Sequence, residues 1–120
     1  MIIKSEVISG RQIGRTLGFP TANLLLNDKL QHLKTGVYSV KVNIEGTPEY
    51  HKGLLNIGHR PTFGTSELSA EVHILDFSDD IYTKKLSLEI LDYIRPEQTF
   101  SNKEDLVSQI KKDSANLKKK

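Results

Sequence analysis

The chain has 120 residues, 37% hydrophobic and 27% charged, with 17 basic side chains against 15 acidic ones and no cysteine. This describes one domain with a single core, and it excludes a disordered chain, a disulfide framework and thiolate metal sites. The net charge of +2 is smaller than the charge of the closing Lys118–Lys120, so the excess forms a basic tip and not the basic face that a nucleic-acid partner requires.

No apolar run approaches the roughly 18–20 residues of a membrane-spanning helix. The opening "MIIKSEVISG" lacks the layout of a signal peptide. Together with the absence of cysteine, this fits a cytoplasmic protein.

In chain order, "SEVISG" (Ser5–Gly10) alternates weakly, as a strand does. The stretch "GRQIGRTLGFPTANLLL" (Gly10–Leu26) follows, with three glycines and one proline within eleven residues. Glycines let backbone N–H groups approach an anion, and Arg11 and Arg15 share the loop. Neither familiar phosphate cradle fits. The Walker spacing is wrong, and no helix follows to complete a Walker or dinucleotide loop. Pro20 pins the geometry before Thr21 and Asn23, which point the same way if this segment is extended. Their hydroxyl and amide oxygens are hard ligands that suit Mg²⁺ carrying nucleotide phosphates. The alternative is a Gly/Pro turn whose backbone Thr21 and Asn23 satisfy, which the residue types alone favour.

"GVYSVKVNIEG" (Gly36–Gly46) alternates clearly, with Tyr38, Val40, Val42 and Ile44 as the buried set and Glu45–Gly46 as a turn. "YHKGLLNIG" (Tyr50–Gly58) returns as a strand, and "HRPTFG" (His59–Gly64) reads as a proline turn. "SAEVHILDF" (Ser69–Phe77) is β-branched and aromatic, with Glu71 near its start and hence near a barrel rim. "KKLSLEILDYIRP" is the last strand, stopped by Pro96. Helical signals are almost confined to the end, where Ser101 and Glu104 form a capping box before Leu106, Val107, Ile110 and Leu117. Successive strands without interleaved helices favour a mainly β fold: a small antiparallel barrel or sandwich of five or six strands, closed on one side by a C-terminal helix.

At "GRTLGFPTANL" (Gly14–Leu24) the sequence resembles the signature of the riboflavin kinase family, centred on "PTAN" (Pro20–Asn23). Further matches follow in order: "GVY" (Gly36–Tyr38), "NIGHRPTFG" (Asn56–Gly64), "AEVHILDF" (Ala70–Phe77), Ile81-Tyr82 and "YIRPEQTF" (Tyr93–Phe100). The resemblance spans nearly the whole chain, from about residue 5 to about residue 117. It implies a flattened six-stranded antiparallel, Greek-key-like barrel with one C-terminal helix, and transfer of the ATP γ-phosphoryl group to the riboflavin 5′-hydroxyl, giving FMN and ADP.

By match to the motifs, Thr21 and Asn23 would hold Mg²⁺ and the ATP phosphates. The loop carrying Gly14, Arg15 and Gly18, hinged at Pro20, would close over ATP. Glu71 falls on the family's catalytic glutamate, and Arg95, Phe100 and Ser101 fall where the family contacts the flavin. Asn56 would touch the adenine side or cap a strand end, and Arg60 would assist nearby. Arg95 has an alternative as an ion-pair partner of Glu97 or Asp92, and Phe100 as packing at the helix entry. Ser9 departs from relatives that often carry histidine there.

In bacteria this module usually forms the C-terminal half of a bifunctional FAD synthase. Residues 1–120 then form a single kinase domain without the adenylyltransferase half, either excised or free-standing. The start near the usual inter-domain linker favours the excised form, with a covalently linked FAD synthetase domain as its partner in the full-length protein.

Two other classes remain as contrasts. One is a non-catalytic flavin- or nucleotide-binding module. The other is a nucleic-acid-binding barrel, which would need aromatic residues interleaved with basic ones. Phe and Tyr make up only 7% of the chain and do not cluster with Lys or Arg along it. No histidine spacing suggests a zinc site.

Overall fold

The computed structural model describes residues 2–11, 21–62, 65–75, 84–97, 108–109, 111–113 and 115. Six antiparallel strands close into a barrel. They are β1 (Ile2–Arg11), β2 (Thr21–Leu24), β3 (Gly36–Ile44), β4 (Tyr50–Thr62), β5 (Thr65–Ile74) and β6 (Lys85–Arg95), with one short helix, α1 (Asp28–Gln31), between β2 and β3. The order around the barrel, β1-β2-β5-β4-β3-β6, departs from chain order because β5 crosses back to pair with β2. Among the described residues each strand has a neighbour on both sides along part of its length, which limits the edge open to another chain. Residues 108–109, 111–113 and 115 are helical, as expected of the C-terminal end. The capping box and the apolar positions around it lie outside the described residues, as does the lysine tail.

Alternation sorts the side chains of each strand into an interior and an exterior set. Ile3 and Val7 of β1, Ala22 and Leu24 of β2, Tyr38, Val40, Val42 and Ile44 of β3, and Leu55 and Ile57 of β4 all enter the main core. Ala70, Val72 and Ile74 of β5 and Leu86 and Leu88 of β6 complete it. The set expected from "GVYSVKVNIEG" is buried, but Val37 and Ser39 of the opposite parity are buried as well. Val37 joins Leu54, Leu75 and Ile94 in a second cluster on the outside of the barrel. Ser39 Oγ accepts from Asp92 N at 3.2 Å, beside one of two register shifts between β3 and β6.

Four readings need correction. Thr21–Leu24 is a strand in its own right, paired on both sides, and not the tail of a Gly/Pro turn. "HRPTFG" is not a proline turn, because β4 runs on through Pro61, which pairs with Ser66 of β5. Glu71 is the seventh residue of β5, since that strand begins at Thr65 and not near Ser69. Finally, α1 stands far from the C-terminus. A four-residue helix has no periodicity to read, and it forms because Asn27 caps it: Oδ1 accepts from Leu30 N at 2.9 Å while Nδ2 donates to Lys4 O at 2.8 Å. Leu30, fully buried, fixes it to the core.

The turn entering β3 is held by two tyrosines. Tyr38 Oη donates to Lys34 O, Tyr93 Oη donates to Thr35 O at 3.0 Å, and the two rings meet edge to face at 5.2 Å. Gly36 sits beside Tyr93 at φ +142°, and a Cβ there would lie 2.6 Å from Arg95 O and from the Tyr93 ring. Only glycine suits both the dihedral and the space.

Candidate active site

β2 places Ala22 and Leu24 in the core, so Asn23 between them faces outward. The same alternation turns out Glu71, between Ala70 and Val72, and Asn56, between Leu55 and Ile57. These outward residues are aligned. Asn23 pairs with Glu71, Glu71 with Asn56, Asn56 with Val37, and Val37 with Arg95. At the other end Asn23 pairs with Ser9. One continuous row of cross-strand partners therefore carries four residues singled out in the sequence from four separate strands. Direct partners on one face have Cβ atoms about 4.5–5.5 Å apart, close enough to act on one small group.

Burial within the row is uneven. Asn23 is 8% exposed and Glu71 7%, although both face away from the barrel interior, whereas Asn56 is exposed. Neither Asn23 nor Glu71 lacks a partner. A carboxylate so enclosed is shielded from bulk water.

Arg95 stands at the far end of the row, and its guanidinium is engaged with Asp113 of the C-terminal helix. Nη2 lies 3.0 Å and Nε 3.2 Å from Asp113 Oδ2, while Gln109 Nε2 donates to Oδ1 at 2.9 Å. Sequence reasoning offered Glu97 or Asp92 as its ion-pair partner. The structure instead gives Asp113, which is 5% exposed. The signal in the sequence was the i, i+4 spacing of Gln109 and Asp113, which only a known helix register makes legible. Glu97 was likewise missed: its carboxylate reaches His59 on β4.

Gly14, Arg15, Gly18, Pro20, Phe100 and Ser101 lie outside the described residues. The backbone of Thr21 pairs with Arg11 at the start of β2. Among the described residues no three histidine, aspartate or glutamate side chains converge to cage a metal. The carboxamide oxygen of Asn23 is a donor of the kind a hard cation takes, and the Thr21 side chain lies outside the described residues. Mg²⁺ usually takes only one or two protein groups and completes its shell with water and phosphate oxygens, so a single oxygen donor such as Asn23 fits it. Basic and aromatic groups do meet in space, with Lys34 Nζ 4.8 Å from the Tyr93 ring centre and Lys41 Nζ 5.6 Å from that of Tyr50. Among the described residues no helix is long and apolar enough to cross a membrane.

Comparison with known proteins gives a consistent match. The family model described as "Flavokinase: Riboflavin kinase" matches residues 1–120. The RNA-binding riboflavin kinase RibR of Bacillus subtilis is 43% identical over 113 residues, which are 93% of this chain and 47% of that protein. The bifunctional riboflavin kinase/FMN adenylyltransferase of Listeria monocytogenes is 42% identical over 111 residues, 92% of this chain and 35% of that protein. The chain thus spans half or less of the length of these relatives.

Two solved structures share the fold. A crystal structure described as a macrolide-efflux protein from Streptococcus pneumoniae superposes with a TM-score of 0.83 at 35% identity, covering 98% of this chain and 38% of that one. Riboflavin kinase from Trypanosoma brucei superposes with a TM-score of 0.70 at 26% identity, covering 98% of this chain and 74% of that one.

Proposed function

Because the chain belongs to the riboflavin kinase family, we propose that it transfers the γ-phosphoryl group of ATP to the 5′-hydroxyl of riboflavin, giving FMN and ADP. The observation that carries this reading is the row Asn23–Glu71–Asn56, in which an enclosed carboxylate stands between two amide side chains on adjacent strands. Phosphoryl transfer needs alignment and charge neutralisation more than covalent help from the protein, so a sparse polar row is sufficient.

In this reading Glu71 orients the ribityl hydroxyl and accepts its proton as the oxygen–phosphorus bond forms and the bond to the ADP oxygen breaks. Asn23 and Thr21 lie on the nucleotide side, where they would hold Mg²⁺, and Asn56 flanks Glu71 from β4 on the adenine side. When bound, the cation neutralises the β- and γ-phosphate oxygens. The loop through Gly14, Arg15 and Gly18 to Pro20 would cover ATP. Arg95 marks the flavin side at the other end of the row, with Phe100 and Ser101 next along the chain.

Relatives that join this module to an FMN adenylyltransferase support a linked FAD-forming domain in the full-length protein, and a cytoplasmic setting suits these soluble substrates. Incubation of the folded protein with ATP, Mg²⁺ and riboflavin, followed by separation of the flavins, tests the reaction. FMN above a no-enzyme control is expected, and its absence would overturn the proposal.

A further inference from the structure

Glu97 follows β6 by two residues, yet its carboxylate is seated on β4. Oε1 accepts a hydrogen bond from His59 N at 2.6 Å, and Oε2 lies 3.3 Å from His59 Nδ1. The ladder between β3 and β4 ends at Gly36 and Ile57, whereas β4 continues to Thr62. Beyond Ile57, backbone donors on that side of β4 meet no strand among the described residues. The Glu97 carboxylate takes the place of the missing strand at His59, in a charge-assisted bond.

Gly58 makes this approach feasible. A Cβ on Gly58 would lie 2.7 Å from Glu97 Oε1 and 3.2 Å from its Cδ, while its backbone is not in the left-handed region. The glycine thus gives access to a side chain and no special dihedral. The clasp therefore has three parts, Gly58, His59 and Glu97. It fastens the chain leaving β6 to a strand position two or three residues beyond Asn56. Arg95, two residues before Glu97, is fixed in turn by Asp113. The end of β6 is thereby held at two points beside the row that carries Glu71.

We propose that Glu97 is a positioning residue for the flavin substrate. Its clasp on His59, admitted by Gly58, sets the place of the flavin-side wall relative to Glu71 without touching the reacting atoms. This rests on the reading of Arg95 as the flavin side.

Two variants break the clasp from opposite ends. Glu97→Ala removes the carboxylate, and Gly58→Ala leaves it in place but evicts it, because the far end of a flexible side chain yields more readily than a paired strand. With one charge-assisted hydrogen bond at stake, both should raise the KM for riboflavin about fivefold or more, with smaller changes in kcat and in the KM for ATP. Glu97→Gln keeps an acceptor for His59 N and should recover most of the loss. Riboflavin Kd from flavin fluorescence quenching should move in parallel. An unchanged riboflavin KM and Kd in both folded variants, or an equal rise for ATP, overturns the clasp's role. A wild type that binds riboflavin but makes no FMN would sink the reaction and leave the Kd comparison to decide the clasp. A wild type that binds no riboflavin would sink both.

Discussion

Asn23 and Glu71 are direct cross-strand partners, both more than nine-tenths buried although both face away from the barrel interior. The segment "PTAN" and the segment "AEVHILDF" lie some fifty residues apart in the chain, and the crossover of β5 onto β2 is what joins them. An outward carboxylate enclosed in this way has a defined direction and little competition from water. Those are the conditions under which a general base contributes about 10²–10⁴-fold to a rate.

Glu71→Gln keeps the size and loses the basicity of the side chain. It should retain the wild-type thermal midpoint within a few degrees while kcat falls at least about 100-fold, within the range of a general base. Circular dichroism with steady-state FMN formation checks both halves. Turnover within about threefold of wild type, less than 1 kcal/mol of barrier, would remove Glu71 from the chemistry.

Asn23 tests the nucleotide side of the same row. Asn23→Ala removes a hard oxygen donor and should raise the Mg²⁺ concentration for half-maximal activity together with the KM for ATP, by about tenfold if a single donor is lost. The KM for riboflavin should move much less. A riboflavin effect equal to the ATP effect would assign Asn23 a general packing role.

Five of the six strands were legible because they alternate or are β-branched, whereas the four-residue β2 is too short to show a pattern, and the interior set expected of "GVYSVKVNIEG" is buried. What the sequence concealed was set by partners distant in the chain. Val37 is buried in an outer cluster with Leu54, Leu75 and Ile94, and Ser39 is buried beside a register shift between β3 and β6. Pro61 signals a turn locally, yet it lies within a long hairpin arm. Glu71 was found through its motif, but its row with Asn23, Asn56 and Arg95 exists only once the register is known. Glu97 gave no local signal, and the spacing of Gln109 and Asp113 becomes readable only with the helix register, since both carboxylates act across the fold.

The Arg95–Asp113 pair should behave as a structural tether for the C-terminal helix. Asp113→Ala leaves a guanidinium that is only one-fifth exposed without its carboxylate. Fully buried pairs lose about 3–5 kcal/mol when one partner is removed, and the partial exposure of Arg95 lowers the expectation to about 2–3 kcal/mol. Urea unfolding gives the value. A loss below about 0.5 kcal/mol would mean that solvent screens the pair as it does on open surfaces.

Gly36 provides a stability test independent of charge. Gly36→Ala forces a side chain into a φ of +142° and brings Cβ within 2.6 Å of the Arg95 carbonyl, which is backbone and cannot swing away. Strain of this kind amounts to about 1–3 kcal/mol before the clash is counted. A loss of at least that size is expected in urea unfolding, and a neutral substitution would show that the turn entering β3 has an alternative path.

Tyr38 gives the fold an alkaline limit. Burial raises the pKa of its phenol above the usual value of 10.0, and the neighbouring Tyr93 raises it further. The folded protein therefore holds this proton to a higher pH than the unfolded chain does. More protons bound in the native state make stability fall as pH rises. The contribution is complete below about pH 10, the unfolded value, and is lost as pH climbs through the folded one. Tyr38→Phe removes both the titration and the hydrogen bond to Lys34 O, at about 1 kcal/mol for the bond. Below pH 9 the variant should be the less stable protein by a constant margin. Between pH 10 and the upper end of the folded range that margin should shrink, because only the wild type pays to ionise a buried phenol. Urea unfolding of both proteins from pH 8 to pH 11 reads the difference directly, and a margin that stays constant across the series would show that Tyr38 ionises as readily in the fold as outside it.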